Sequence, residues 1–249
     1  MNPVLEAAFR TGTVIGPHEE SVPLHSAVSR EEGLFIQRTV TDNGAQVVLE
    51  VGLAFGISAL FICEALAAIP GSRLIAIDPN QFGDRWMGIG MSNLKKARYE
   101  TKVELISETS QRALPKLVES GLRIDFAFID GWHTFDHALV DFFYVDQLLR
   151  VGGVVALDDV YMPSLRKLAR FIATNRSYKV DGFLAPVPPH GLKPRLKRLA
   201  SRLPSVASRI LRPELVRPDA SLGWMQETRC VAFKKESDDV RDWDFHRPF

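Results

Sequence analysis

Short apolar runs alternate with longer stretches of helical periodicity through the middle of the chain, and most runs end on glycine or aspartate. Val47–Val51 is the first, β-branched and broken only by Glu50, as suits a strand buried on both faces of a parallel sheet. Arg73–Ile77, Val103–Ile106, Ile124–Ile129 and Val154–Leu157 repeat the pattern. Between them the spacing predicts helices from about Ile57 to Ala67, through Leu94 and Ala97, around Arg112–Glu119, and over about His137–Leu149. The last carries Leu139, Phe142, Phe143 and Leu148 at helical intervals. Pro163 suits the first position of a further helix, with Leu165, Leu168, Phe171 and Ile172 inward. Pro70-Gly71, the glycine-rich stretch 83–90 with Trp86 and Met87, and Arg150-Val151-Gly152-Gly153 read as turns. Strands and helices alternating at this spacing predict right-handed βαβ units and a doubly wound α/β fold, its parallel sheet covered on both faces.

The two ends depart from this rhythm. Residues 1–45 predict a helical cover: a short turn at Val4–Phe9, then a helix opened by Ser29 with Glu31 and Glu32 in its first turn. Leu34, Phe35 and Val40 give that helix its apolar face, and Asp42-Asn43-Gly44 stops it. At the far end Tyr178–Leu184 and Arg229–Lys234 read as a final antiparallel pair, bringing the expected sheet to seven strands. Between them, 185–222 is rich in proline and arginine, with Lys193, Arg195, Lys197, Arg198, Arg202, Arg209, Arg212 and Arg217 against Glu214 alone over 193–217. A connection that long is an insertion. The expected organisation is a single domain over 1–249: cover 1–45, core 46–184, basic insertion 185–222, and last strand with tail 223–249.

Composition narrows the class without naming a function. A 46% apolar and 24% charged chain of 249 residues is ordinary for a globular protein, and a net charge of +1 gives no global attraction to nucleic acid or membrane. Cys63 and Cys230 are too few for a disulfide framework and read as core thiols in a reducing compartment. No signal-peptide pattern or transmembrane run is present in the sequence, so a cytoplasmic protein is expected.

The chemistry collects after the strands. Glu50-Val51-Gly52-Leu53-Ala54-Phe55-Gly56-Ile57-Ser58 joins a strand to a helix through two glycines four apart. Glycine allows a sharp turn and a close ligand approach, and the helix points free N–H groups at that ligand. In open α/β sheets ligands sit beyond the carboxyl ends of the strands; Glu50, Asp78, Asp130, Asp158 and Asp159 fall there. Asp78, ending the second of these strands, stands where an acid can accept ribose hydroxyls, which points to a nucleoside derivative. Glu50 occupies a position where a dinucleotide fold carries glycine. Beside the turn a carboxylate would repel a pyrophosphate and welcome an ammonium, which favours S-adenosylmethionine over NAD; the alternative is a strand-end acid with a structural partner.

At these motifs the chain resembles the class I S-adenosylmethionine-dependent methyltransferases, with a Rossmann-like fold. Within them it is similar to the metal-dependent catechol and caffeoyl-CoA O-methyltransferases and to related bacterial methyltransferases of unassigned substrate. The resemblance runs from about Leu34 to Tyr178. It implies that Glu50, Gly52, Leu53 and Gly56 line the cofactor, that Ser58 holds its carboxylate, and that Asp78 and Pro79 meet the ribose. Ser110-Gln111 matches the adenine-contacting segment, and in Asp130-Gly131-Trp132-His133 the indole of Trp132 is expected against the adenine. Asp158-Asp159 matches the metal pair, where catechol-type enzymes carry Asp-Asn.

Asp130, Asp158 and Asp159 would give Mg²⁺ three hard oxygen ligands. The acids could instead cap the next helix or bind substrate hydroxyls without a metal. His133 is the candidate general base, at a position where the catechol-type family places lysine; a structural role or a fourth metal ligand are its alternatives. The leading expectation is O-methylation of a small hydroxylated molecule such as a sugar, phenol or natural-product intermediate. An RNA-modifying enzyme and a non-catalytic cofactor-fold binder are the competing readings, and nucleic acid is not the expected partner. The insertion 185–222 could act as a lid, touch an anionic membrane, pair subunits into a homodimer or clamp an acidic substrate.

Overall fold

The computed structural model describes residues 1–184, 218–225 and 227–249. The chain opens with α1 (Pro3–Thr11), capped by the Asn2 side chain, which accepts the N–H of Val4 at 2.8 Å. A small antiparallel hairpin, β1 (Thr13–Ile15) with β2 (Ser21–Pro23), precedes α2 (Arg30–Asp42). Ser29 caps α2 by accepting the N–H of Glu32, as the sequence led one to expect. The hairpin was not foreseen: its three-residue strands are too short to show a period.

The core then alternates strand and helix: β3 (Val47–Val51), α3 (Ile57–Leu66), β4 (Arg73–Ile77), α4 (Ile89–Lys96), β5 (Val103–Ile106), α5 (Ser110–Glu119), β6 (Ile124–Ile129), α6 (Phe135–Leu148), β7 (Leu149–Leu157), α7 (Pro163–Asn175), β8 (Tyr178–Phe183) and β9 (Val231–Lys235). Seven strands form one sheet in the order β5-β4-β3-β6-β7-β9-β8. The first five are parallel to one another, and β9 runs antiparallel to both β7 and β8. Strand order reverses at β3, between β4 and β6.

Alternate residues of each central strand feed opposite faces. Val48, Phe126, Phe128, Val154 and Ala156 pack with α1 to α4, whereas Leu49, Ala127, Ile129, Val155 and Leu157 pack with α5 to α7. Both faces are therefore apolar, which is why the strands read as unbroken runs. Cys63 and Cys230 are free and buried in the first of these cores.

Three local expectations need correction. The strand expected at Val154 begins at Leu149, directly after α6; the Arg150–Gly153 stretch joins it through a register irregularity between Ile124 and Phe126 rather than forming a separate turn. Leu34 and Phe143, placed on inward faces by spacing alone, are exposed, because each lies at the margin of its helix's apolar stripe. Of the basic insertion, 185–217 lies outside the described residues. Its described end, 218–222, contains a turn of 3₁₀ helix whose Asp219 is buried and ion-paired with Arg166 and Arg170 of α7 at 2.7 and 2.9 Å. Trp224 follows, buried against Phe233.

Candidate active site

The strand ends converge because the sheet ladder continues past each strand by one residue. Gly52 N–H donates to the carbonyl of Ile77, Asp130 N–H to Val51, Asp158 N–H to Ile129 and Asp78 N–H to Ile106, at 2.9 to 3.2 Å. These bonds set the four strand-end positions side by side around one cavity of about 840 Å³. Gly52 sits at φ +98°, and a Cβ there would lie 2.2 Å from the carbonyl oxygen of Asp130. Glycine is required at that point for packing as well as for the turn.

Of the residues singled out by sequence, Gly52, Asp78, Pro79, Ser110, Gln111, Asp130, Trp132, His133, Asp158 and Asp159 line this cavity. Glu50, Leu53, Gly56 and Ser58 are not on its lining; Glu50, Leu53 and Ser58 are buried. Trp132 is 62% exposed at the rim. The cover adds Ser26 and Ala27, and the loop after β4 adds Asn80, Arg85 and Trp86. His25, Phe55 and Trp86 pack ring against ring, with centroids 5.0 to 5.9 Å apart, and join the cover to the glycine turn.

Asp78 is more occupied than its sequence position suggested. One oxygen accepts the N–H groups of Leu53 and Ala54 at 3.2 and 2.9 Å, and the other accepts that of Asn80 at 2.8 Å. It holds the glycine turn in shape while one of its roughly four acceptor positions stays available to a ligand. Glu50 is fully buried with neither carboxylate oxygen hydrogen-bonded. Burial pushes it up to about 8, helped by the charges of Asp130 and Asp78 and opposed by Ser58.

The other half of the cavity is an acid cluster with an imidazole and a guanidinium beside it. The Nε2 of His133 is 3.2 Å from Asp130 Oδ1, and its Nδ1 is 3.4 Å from Asp159 Oδ2. Ser164 donates to the His133 carbonyl at 2.6 Å and fixes the backbone there. The Nε of Arg229 lies 2.9 Å from Glu32 Oε2 and 3.8 Å from both Asp158 Oδ1 and Asp159 Oδ1. Glu32 is raised to about 10, first by burial and then by Asp158 beside it, with Arg229 opposing. Burial also raises Asp130, with Asp158 and Asp159 adding to the shift, and burial and Asp158 raise Asp159 against His133 and Arg229. Charges of one sign crowded in a partly dry site raise one another.

Glu32 and Arg229 escaped the sequence reading. Glu32 had the look of an ordinary first-turn helix acid, and Arg229 of a strand-edge residue; only the fold joins α2 to the chain before β9. Asp158 and Asp159 do not cap α7: its N-cap is Met162, and the Asp158 side chain accepts the N–H of Asp159 at 2.6 Å.

Comparison with known proteins agrees with this architecture. Residues 49–160 match the family model for a methyltransferase domain. The chain is 31% identical over 156 residues to catechol O-methyltransferase B of Danio rerio, a match covering 61% of this chain and 56% of that protein. It is 30% identical over 136 residues to the flavonoid 3',5'-methyltransferase of Vitis vinifera, covering 52% and 53%. The chain thus spans a little over half the length of the curated relatives it matches. Among solved structures, an O-methyltransferase from Bacillus cereus in complex with SAH superposes with a TM-score of 0.63 at 19% identity, covering 94% of this chain and 92% of that one. An O-methyltransferase from Streptomyces achromogenes involved in tomaymycin synthesis, in complex with SAM, gives 0.55 at 23% identity, covering 64% and 75%. The family match is confined to residues 49–160, and the seven-stranded sheet shares the Rossmann-like fold of these solved neighbours.

Proposed function

We propose that this protein transfers a methyl group from S-adenosylmethionine to a hydroxyl of a small molecule. The observation that carries this reading is the shared cavity: the glycine turn and Asp78 line one part of it, and the Asp130–His133–Asp159 cluster lines another. When bound, S-adenosylmethionine supplies an electrophilic methyl on a sulfonium. A cationic ligand above the turn would draw the buried Glu50 toward its ionised form, and Asp78 keeps an acceptor position for a ribose hydroxyl.

The protein's part in such a displacement is alignment, exclusion of water and removal of one proton. His133 can donate from Nε2 to Asp130, the shorter of its two acid contacts, which leaves a lone pair on Nδ1. The longer contact, Nδ1 to Asp159, is the one an acceptor hydroxyl exchanges as it enters. His133 Nδ1 then takes the hydroxyl proton, and Asp130 stabilises the imidazolium.

The divalent ion implied by the family resemblance would fall to Asp130, Asp158 and Asp159, whose hard oxygens suit it chemically. Their arrangement does not: oxygens of Asp158 and Asp159 face Arg229, and oxygens of Asp130 and Asp159 face His133. Among the described residues no three acidic, histidine or cysteine side chains are grouped closely enough to hold an ion. No step above therefore runs through a metal.

Incubation with S-adenosylmethionine and a panel of phenols, sugars and other polyols, read by mass spectrometry for a methyl adduct, tests the proposal. Methylated product together with stabilisation by S-adenosylhomocysteine is expected. Stabilisation by NAD with none by S-adenosylhomocysteine would overturn it.

A further inference from the structure

We propose that Arg229, held by Glu32, is the resident cation of the acid cluster and takes the place of a divalent ion there. This rests on the methyltransferase reading of the cavity and specifies how its acidic end is neutralised.

Arg229 is fixed from two sides. Its carbonyl accepts the N–H of Val160 at 2.8 Å, so its backbone is tied to the turn that follows Asp158 and Asp159. Its side chain reaches the carboxylate of Glu32, which is wholly buried in α2. A buried acid and a half-buried guanidinium are each costly without a polar partner, so Glu32 and Arg229 hold each other in place. The position that results brings the guanidinium equally close to Asp158 and Asp159, and it lines the cavity.

Charge accounts for the rest. Arg229 faces Glu32, Asp158 and Asp159, and the His133 imidazole faces Asp130 and Asp159, so Arg229 is the fixed positive charge among these acids. Guanidinium is charged at all working pH values and carries five N–H donors. With Nε turned to Glu32, the remaining donors can meet the oxygen of an acceptor and favour its negative charge as the proton leaves, which is the electrostatic task a metal performs in such a site. Arg229 is then a specificity-determining residue for oxygen acceptors, and it repels a second cation from the same carboxylates.

The test is Mn²⁺ binding, followed by loss of the free-ion electron paramagnetic resonance signal in a micromolar-to-millimolar titration, with S-adenosylhomocysteine thermal shifts run on the same samples. Wild-type protein and Arg229→Lys are expected to leave the signal unchanged, whereas Arg229→Gln gains one Mn²⁺ site with affinity at least ~100-fold above wild type, on the scale of a close unit charge removed. If Arg229→Gln does not fold, the double variant Glu32→Gln/Arg229→Gln removes the pair together and is expected to show the same gain. Stoichiometric Mn²⁺ binding by the wild type overturns the proposal, as does the absence of any gain in the folded variant. S-adenosylhomocysteine must stabilise the wild type whichever way the Mn²⁺ titration falls; if it does not, it is the methyltransferase reading that has failed.

Discussion

The carboxylate of Asp78 accepts the backbone N–H of Ala54 at 2.9 Å, so the acid ending β4 dictates the path of the turn after β3. Leu53 and Asn80 donate to the same side chain. Asp78→Ala leaves three backbone N–H groups without their acceptor. The expected result is a stability loss of roughly 2–4 kcal/mol, from a charge-assisted acceptor and the desolvated donors it leaves, together with a large fall in S-adenosylhomocysteine affinity. Urea unfolding and calorimetry measure the two. Unchanged affinity would mean that the turn keeps its shape without Asp78.

Gly52→Ala should be more local and equally damaging to binding. The added Cβ meets the Asp130 carbonyl oxygen and the φ of +98° is strained for alanine. A stability cost of at least ~2 kcal/mol is expected, with the thermal shift produced by S-adenosylhomocysteine reduced or lost. Differential scanning fluorimetry with and without ligand reads both.

His133→Ala should lower kcat by about 10²–10⁴, the usual weight of a positioned general base, while leaving S-adenosylhomocysteine affinity near wild type. The pH–rate profile should lose its acidic limb, because no imidazole remains to be protonated. An unaltered profile would remove His133 as the proton acceptor.

Glu50 supplies a pH prediction whose sign can be worked out. Its native value of about 8 stands above the ordinary 4.5, so the folded protein holds a proton that the unfolded chain releases. That contribution to stability is fully present below about 4.5 and is lost as pH rises toward 8. Glu50→Gln, which mimics the protonated form, should therefore gain stability over wild type as pH rises, by roughly 1–3 kcal/mol at pH ~8 after allowance for burial effects. Urea unfolding of both proteins at pH ~5 and ~8 measures the difference. A constant gap between them would contradict the assignment.

Much of this molecule was open to reading because burial on both faces leaves a plain mark. Val47–Val51, Arg73–Ile77, Val103–Ile106 and Ile124–Ile129 are found with the bounds their apolar runs suggested, since a strand covered on both sides has few polar positions to blur its limits. The strand-end acids were visible because each terminates such a run. What could not be read is which partner each acid would find. Asp78 spends most of its acceptors on backbone, Glu32 is buried under an arginine from the chain just before the last strand, and Glu50 lies below the cavity wall. Those outcomes depend on contacts between distant segments, and residue type at a given spacing carries no record of them. The hairpin β1–β2 stayed hidden for a different reason: with three residues per strand, turn geometry and packing against the cover outweigh any pattern.

The anchoring of Asp219 on α7 bears on how freely this protein can be re-engineered. Leu184, which follows β8, donates its N–H to Cys230 at 2.9 Å, and Asp219 is tied to Arg166 and Arg170 with Trp224 buried just beyond. The chain is thus clamped on both sides of 185–217 by contacts that belong to the sheet and α7. Closing a shorter connection between fixed points changes loop entropy only slowly with length. The stretch can be treated as an exchangeable cassette: replacing it with a glycine-serine linker long enough to span the clamps turns the change in melting temperature into a direct reading of what the stretch itself contributes. Any change in acceptor preference in such a chimera then belongs to the cassette, which makes the junction a natural place to graft new selectivity.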